Sequence, residues 1–294
     1  MASQRDVKNK IASVKNIQKI TRAMEMVAAA RLRRAEQRIE ALRPYAEAIG
    51  RMTRQAARAA GAEASRMPLL AEHDSKTNVG LLLVTGDRGL AGGFNSQIIR
   101  AGVRRSSELA EEGLRANWYA TGRRGVSSLS FRGHELSGAY TGFSDRPAYA
   151  DARNIASDLI SGYIDGKLDR VELLYNAYVS PLTQNVTSQV LLPLTQQEVS
   201  DQDATEEGPT PTDYEPDPEK ILRRLVPDYV EISIYRALIE STAGFFGAQM
   251  TAMRSASENA GEIITDYTLQ MNRARQAEIT QEIMEVVAGA EGLT

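Results

Sequence analysis

The chain has no cysteine, which excludes a disulfide scaffold and any thiolate metal site. Only two histidines occur, His73 and His134, so a histidine-based metal centre or catalytic triad has little to draw on. No G-x-S-x-G, H-E-x-x-H or paired catalytic carboxylates are found. No apolar run approaches the ~18 residues that a spanning helix needs. The opening residues MASQRDVKNK lack the apolar core of a signal peptide, so a cytoplasmic location is expected. Proline is missing beyond Pro227, and between there and Gly289 the only glycines are Gly244, Gly247 and Gly261. The last third of the chain therefore lacks helix breakers.

What that region does have is a repeat. Ile239, Ala243, Phe246, Met250, Met253, Ser257, Ala260, Ile264, Tyr267, Met271 and Ala274 follow one another in steps of four and three. That spacing keeps one stripe of a helix against a partner helix. It predicts one long helix from about residue 229 to 288, with Pro227 near its start. A helix of that length, roughly 90 Å, needs another long helix to lean on. The same steps run at the other end through Ala28, Leu32, Ala35, Ile39, Leu42, Ala46, Ile49, Thr53 and Ala56. Antiparallel pairing of the two ends is expected, with residue i opposite about 300 − i. Pro44 should kink the first helix or remove one of its hydrogen bonds.

Each stripe also changes phase at one end. Ile17, Ile20, Met24 and Val27 are out of step with Ala28, and Ile279, Ile283 and Val287 are out of step with Ala274. On this pairing the two breaks face each other. Either they present apolar side chains to other proteins or they are an ordinary stutter, and periodicity alone does not choose.

The charge balance is uneven. Residues 1–60 hold fourteen Lys/Arg against five Asp/Glu, while the whole chain has a net charge of −3. A solvated helix face is the plain reading, and a basic shaft facing acidic partners is the sharper one. Nucleic acid is disfavoured, because no aromatics interleave with Arg31, Arg33, Arg34, Arg38 and Arg43.

Between the two ends the period changes. VGLLLVT (79–85) reads as a buried strand, TGDRGLAGGFN (85–95) as a glycine-rich turn, and residues 95–112 as a helix. Further strands are expected at 117–121, 135–140, 171–179 and 188–194, with helices near 125–131 and from Pro147 to 164. The domains predicted are a coiled-coil helix over 1–60, a Rossmann-like α/β domain over 77–195, an acidic proline-rich loop over 196–220, and a second coiled-coil helix over 221–294. The fold class is thus α/β, a layered domain inserted between the helices of a long antiparallel coiled coil. The glycine-rich turn lies where a doubly wound sheet would hold a nucleotide. Its glycines do not fit G-x-G-x-x-G, and no Gly-Lys-Ser/Thr follows, so a structural turn is preferred. Asp87 and Arg88 read as a salt-bridged turn pair. A nucleotide-dependent enzyme and a free-standing coiled-coil scaffold remain as rivals of other classes.

Three segments together resemble the gamma subunit of F-type ATP synthases: KIASVKNIQKITRAMEMVAAARLRRAE (10–36), TGDRGLAGGFN (85–95) and NRARQAEITQEIMEVVAGA (272–290). YEPDPEKIL (214–222) and MTAMRSASENA (250–260) agree, so the likeness spans the chain in order. It implies a non-catalytic rotor shaft without cofactor or metal, present in one copy per complex. The coil would stand inside a ring of alternating alpha and beta subunits. The α/β domain and the foot of the coil would sit on epsilon and the membrane c-ring. It also implies contacts with the catalytic ring through Met24 and through Arg275, Gln276, Ile279, Thr280, Glu282, Ile283 and Val287. Tyr214 is placed near epsilon or the ring. A peripheral place on the cytoplasmic face of a bacterial plasma membrane is expected. Many family members carry Ser-Glu-x-x-Ala-Arg-Met where this chain has Gly244, Phe245, Phe246, Gly247, Ala248, Gln249 and Met250. The relatives' polar contacts there do not carry over.

Overall fold

The structure is a computed structural model that describes residues 4–61, 67–73, 77–194 and 217–291. Ten elements follow in order: α1 (Gln4–Ala60), β1 (Asn78–Val84), α2 (Phe94–Glu111), β2 (Arg115–Thr121), α3 (Arg123–Phe131), β3 (Leu136–Tyr140), α4 (Tyr149–Ile164), β4 (Arg170–Ser180), β5 (Thr183–Leu192) and α5 (Pro218–Glu291). They divide into two compact units. One takes residues 1–29 and 249–294, and the other takes residues 30–248.

The larger unit is built on a five-stranded sheet with order β3-β2-β1-β4-β5. β1 pairs in parallel with β2 and β4, β2 in parallel with β3, and β5 antiparallel with β4. β1 is central because both of its faces are apolar, as a strand covered by helices on each side requires. Leu81 and Leu83 point into a core with Ile98 and Leu109 of α2 and Leu129 of α3. Leu82 and Val84 point into the opposite core, with Ile155 and Leu159 of α4, Ile49 and Ala56 of α1, and Val230 and Ile234 of α5. Both long helices thus bury part of their length in the sheet's larger core.

One expectation about α5 is corrected. Its first residue is Pro218, nine residues before Pro227, so the predicted acidic loop over 196–220 ends earlier than drawn. Pro218 has no N–H to leave orphaned, which suits a first turn. Pro227 lies inside the helix between the buried Val226 and Val230, so packing outweighs its missing hydrogen bond. α1 likewise runs through Pro44, which sits on the exposed side. The remainder of the predicted loop, residues 195–216, lies outside the described residues and includes Tyr214.

Candidate functional site

The turn at the end of β1 is built from backbone donors aimed at a few side chains. The Gly86 N–H donates to Asn95 Oδ1 at 2.8 Å, and Asn95 Nδ2 donates to the Arg88 carbonyl at 3.0 Å. Asp87 and Arg88 do not pair with each other, contrary to the sequence expectation. The Asp87 carboxylate accepts N–H bonds from Arg123, Gly142 and Ser144 at 3.0–3.1 Å. Burial pushes the Asp87 pKa up, but the donors from Gly142 and Ser144 outweigh it and hold the group below the usual carboxylate range. Arg88 instead reaches Asp145 at 3.3 Å.

The crevice where a nucleotide would sit is filled. Phe94 and Phe245 meet edge to face there with centroids 5.6 Å apart. A Cβ on Gly86 would stand 3.0 Å from the Phe245 ring, so the glycine is what lets α5 come this close. About 10 Å³ is left, walled by Thr85, Thr121, Ser241 and Thr242 among others, roughly one water's worth.

The same closeness accounts for the segment that departs from the family pattern. A Cβ on Gly247 would lie 2.8 Å from the Pro181 carbonyl oxygen, in the turn between β4 and β5. One on Gly244 would lie 3.1 Å from Gln184 and from Phe94. Phe246 is buried with the Arg31 guanidinium over its ring at 5.5 Å. Gly244 and Gly247 thus let α5 pack closely on the β4–β5 hairpin, while Phe245 packs on Phe94 and Phe246 under Arg31.

In the smaller unit the helices pair antiparallel in a different register from the one expected. Gln18 was expected opposite Glu282, but its side-chain amide donates to the Ser257 carbonyl at 3.2 Å. Glu25 was expected opposite Arg275, but it accepts from Arg254 at 2.9 Å. The Lys10 ammonium lies 5.8 Å from the Tyr267 ring centroid. Each partner on α5 is about six to seven helical turns nearer the middle of the chain than predicted. The two phase breaks therefore do not face each other.

Nor does α1 change phase. Its buried side continues from Ala28 back through Glu25, Thr21, Gln18, Val14, Ile11 and Val7, in unbroken steps of four and three. Polar residues occupy the middle of this seam, which is why apolar periodicity alone lost it. Ile17, Ile20 and Val27 point outward, 51–59% exposed. Met24 is half-buried.

Among the described residues, the corrected register leaves the end of α5 without a partner helix. Met271 and Ala274 are the last half-buried seam positions, and every residue from Arg275 to Ala288 is exposed. Ile279, Ile283, Val286 and Val287 are 44–72% exposed. Arg275, Gln276 and Glu282 are exposed beside them. The Thr280 hydroxyl turns back onto the Gln276 carbonyl at 2.8 Å. So the sequence-predicted contact residues fall into two groups. Arg275 to Val287 share one unpaired helical segment, while Met24 lies beside the Glu25–Arg254 pair. Tyr214 lies outside the described residues.

A protein-family model described as ATP synthase matches residues 3–293. The chain is 42% identical to an ATP synthase gamma chain of Rubrobacter xylanophilus over all of this chain and 99% of the relative. It is 43% identical to one of Moorella thermoacetica over the full length of both. Among solved structures it is similar to a central-stalk/c-ring chain of the Tetrahymena thermophila mitochondrial ATP synthase. The TM-score there is 0.58 at 27% identity, covering 81% of this chain and 99% of that one. A chain of the Euglena gracilis mitochondrial ATP synthase has the same fold, with TM-score 0.66 at 14% identity over 99% of this chain and 94% of that one. The chain belongs to the ATP synthase gamma-chain family.

Proposed function

We propose that this chain is the central rotor shaft of an F-type ATP synthase, with the exposed end of α5 as the part that the catalytic ring feels. It couples ion-driven rotation of the membrane c-ring to ATP synthesis or hydrolysis on the beta subunits, and does no chemistry itself. One copy stands within a ring of alpha and beta subunits, with epsilon and the c-ring at the other end. Among the described residues no helix is long and apolar enough to cross a membrane. A peripheral attachment on the cytoplasmic face of a bacterial plasma membrane fits the resemblance to bacterial relatives. A shaft works by asymmetry: a rod that biases each surrounding site differently moves that bias from site to site as it turns.

The observation that carries the reading is a helical segment whose apolar side chains have no cover among the described residues. Ile279, Ile283 and Val287 give it an apolar bearing, and Arg275, Gln276, Thr280 and Glu282 give it polar catches. The filled crevice after β1 weighs against the nucleotide-dependent enzyme. We assign the unmapped Tyr214 segment to the epsilon and c-ring side, and Met24 to the catalytic ring.

The test is the double substitution Arg275→Ala with Gln276→Ala. Both residues are exposed, so the chain should fold normally. Complex yield or proton pumping per ATP hydrolysed should drop. Full yield together with full coupling would remove the catch from this segment.

A further inference from the structure

The loop after β3 touches more of the larger unit than any sequence signal announced. Its Gly142 and Ser144 N–H groups bind the Asp87 carboxylate, and Ser144 Oγ accepts the Asp87 N–H at 2.8 Å. That anchors the loop to the end of β1. The Ser144 carbonyl accepts from Thr242 Oγ1 of α5 at 2.9 Å, and that threonine is 5% exposed. Asp145 Oδ2 takes Arg31 Nη1 of α1 at 3.1 Å and Arg88 Nη2 of the β1 turn at 3.3 Å. The Arg31 guanidinium also lies over Phe246 of α5. Gly142, Ser144 and Asp145 thus bind the turn after β1, α1 and α5 at once. They do so within a turn or two of Ala30 and Ala248, where each long helix leaves the larger unit.

We propose that this loop is a torsional collar, and that Arg31 and Asp145 set how stiffly α1 is held to the α/β domain. The proposal rests on the shaft reading above. Isolated ion pairs at partly exposed positions add little stability. Here the carboxylate is shared by two cations from different elements, and one of them is also stacked on a buried ring. A contact of that kind fixes the angle of a helix even where it adds little to folding. Torque entering through the α/β domain then reaches α1 without slack at its point of exit.

The experiment uses the intact complex, with the catalytic ring fixed and a bead on the rotor. The bead's angular spread is recorded during pauses between steps, for wild type, Arg31→Ala, Asp145→Asn and both together. Each single substitution should widen the spread, and the double should widen it no further, because the two act through one contact. Arg31→Lys keeps the charge but loses the planar stack, so its spread should fall between wild type and Arg31→Ala. Salt near 1 M shortens the screening length to about 3 Å and should widen the wild-type spread while leaving Arg31→Ala nearly unchanged. An unchanged spread in Arg31→Ala, or additive widening in the double, overturns the collar. If a variant fails to assemble, the salt series on wild type decides, and an unmoved spread there overturns it equally. A wild-type complex that lacks this chain or does not turn under ATP would instead sink the shaft reading.

Discussion

The two compact units of this protein are held together in opposite ways. The larger one is an ordinary close-packed interior. Leu82, Ile98, Ile155, Leu159 and Tyr163 are wholly buried on the two faces of its sheet. Its buried Glu172 is gripped by Arg105 at 2.8 Å and joined by Arg170. The smaller unit is a single helix–helix seam that mixes apolar, small and polar residues, in which Ile11, Ala28, Met253 and Ala260 are buried while Ile17, Ile20, Leu269 and Ile283 are exposed. An interior of the first kind resists deformation because every large side chain has neighbours on all sides. A single seam has neighbours on one side only.

The sharpest way to break this comparison is a large-to-small change in each unit. Leu159→Ala empties a wholly buried site in the sheet's larger core and should cost about 2–5 kcal/mol. Ile264→Ala removes a half-buried seam contact and should cost well under half of that. Amide hydrogen exchange read peptide by peptide separates the two units. Equal losses of protection would mean the seam is packed like a core. A smaller effect comes from acid. Asp87, Asp169 and Glu172 all lie in the larger unit. Burial raises each, yet backbone donors to Asp87 and Asp169, and Arg105 with Arg170 at Glu172, outweigh it and hold all three below the ordinary range. Groups depressed in the folded state add stability above the unfolded carboxylate pKa of about 4. That stability is lost as pH falls through the folded values. Protection of β1 and β4 amides, relative to their intrinsic exchange rates, should therefore fall below about pH 4. Glu172→Gln, which no longer titrates, should flatten that response. An unaltered acid profile in the variant would mean Glu172 is not one of the groups responsible.

The sheet was legible in the sequence because its signals are local. VGLLLVT reads as a strand covered on both faces, and Val171 to Val179 reads as a strand by alternation, although β4 is buried on both faces from Val171 to Asn176. The long helices were legible from their heptads. The register was not, because it is set by polar contacts with no periodic signature. Gln18 to the Ser257 carbonyl, and Glu25 to Arg254, fix which turn meets which. Counting apolar residues instead followed Ile17, Ile20 and Val27 off the seam as a change of phase, and placed the end of α5 against α1. Pro227 misled for a similar reason, since a breaker's local penalty is visible and the packing of Val226 and Val230 around it is not. Of the proposed contact residues, Arg275 to Val287 are named by resemblance alone, and the structure shows them exposed. The Arg31–Asp145 contact joins residues 114 apart in sequence, and no motif foretold it.

The subtlest expected effect concerns those polar seam residues. Gln18 is half-buried, and its amide meets the Ser257 carbonyl while lying 3.2 Å from where a Cβ on Gly261 would be. A polar residue inside an apolar seam specifies register at a cost in stability. Gln18→Leu would exchange one hydrogen bond, worth about 0.5–1.5 kcal/mol net, for added apolar burial of similar size. The expected change in stability is therefore small, and the direction favours leucine where the seam closes around it. What should change more is uniqueness. With the cross-helix bond gone, pairings shifted along the seam lose their main penalty, since the Val7, Ile11 and Val14 stripe reads much the same one heptad away. Paired spin labels at Lys15 and Glu262 would measure this as a distance distribution. The wild type should give one narrow distance and Gln18→Leu a broader or split one. A distribution as narrow as wild type would show that the Glu25–Arg254 pair alone holds the register, and that the contrast between the two units lies in packing rather than in how each is specified.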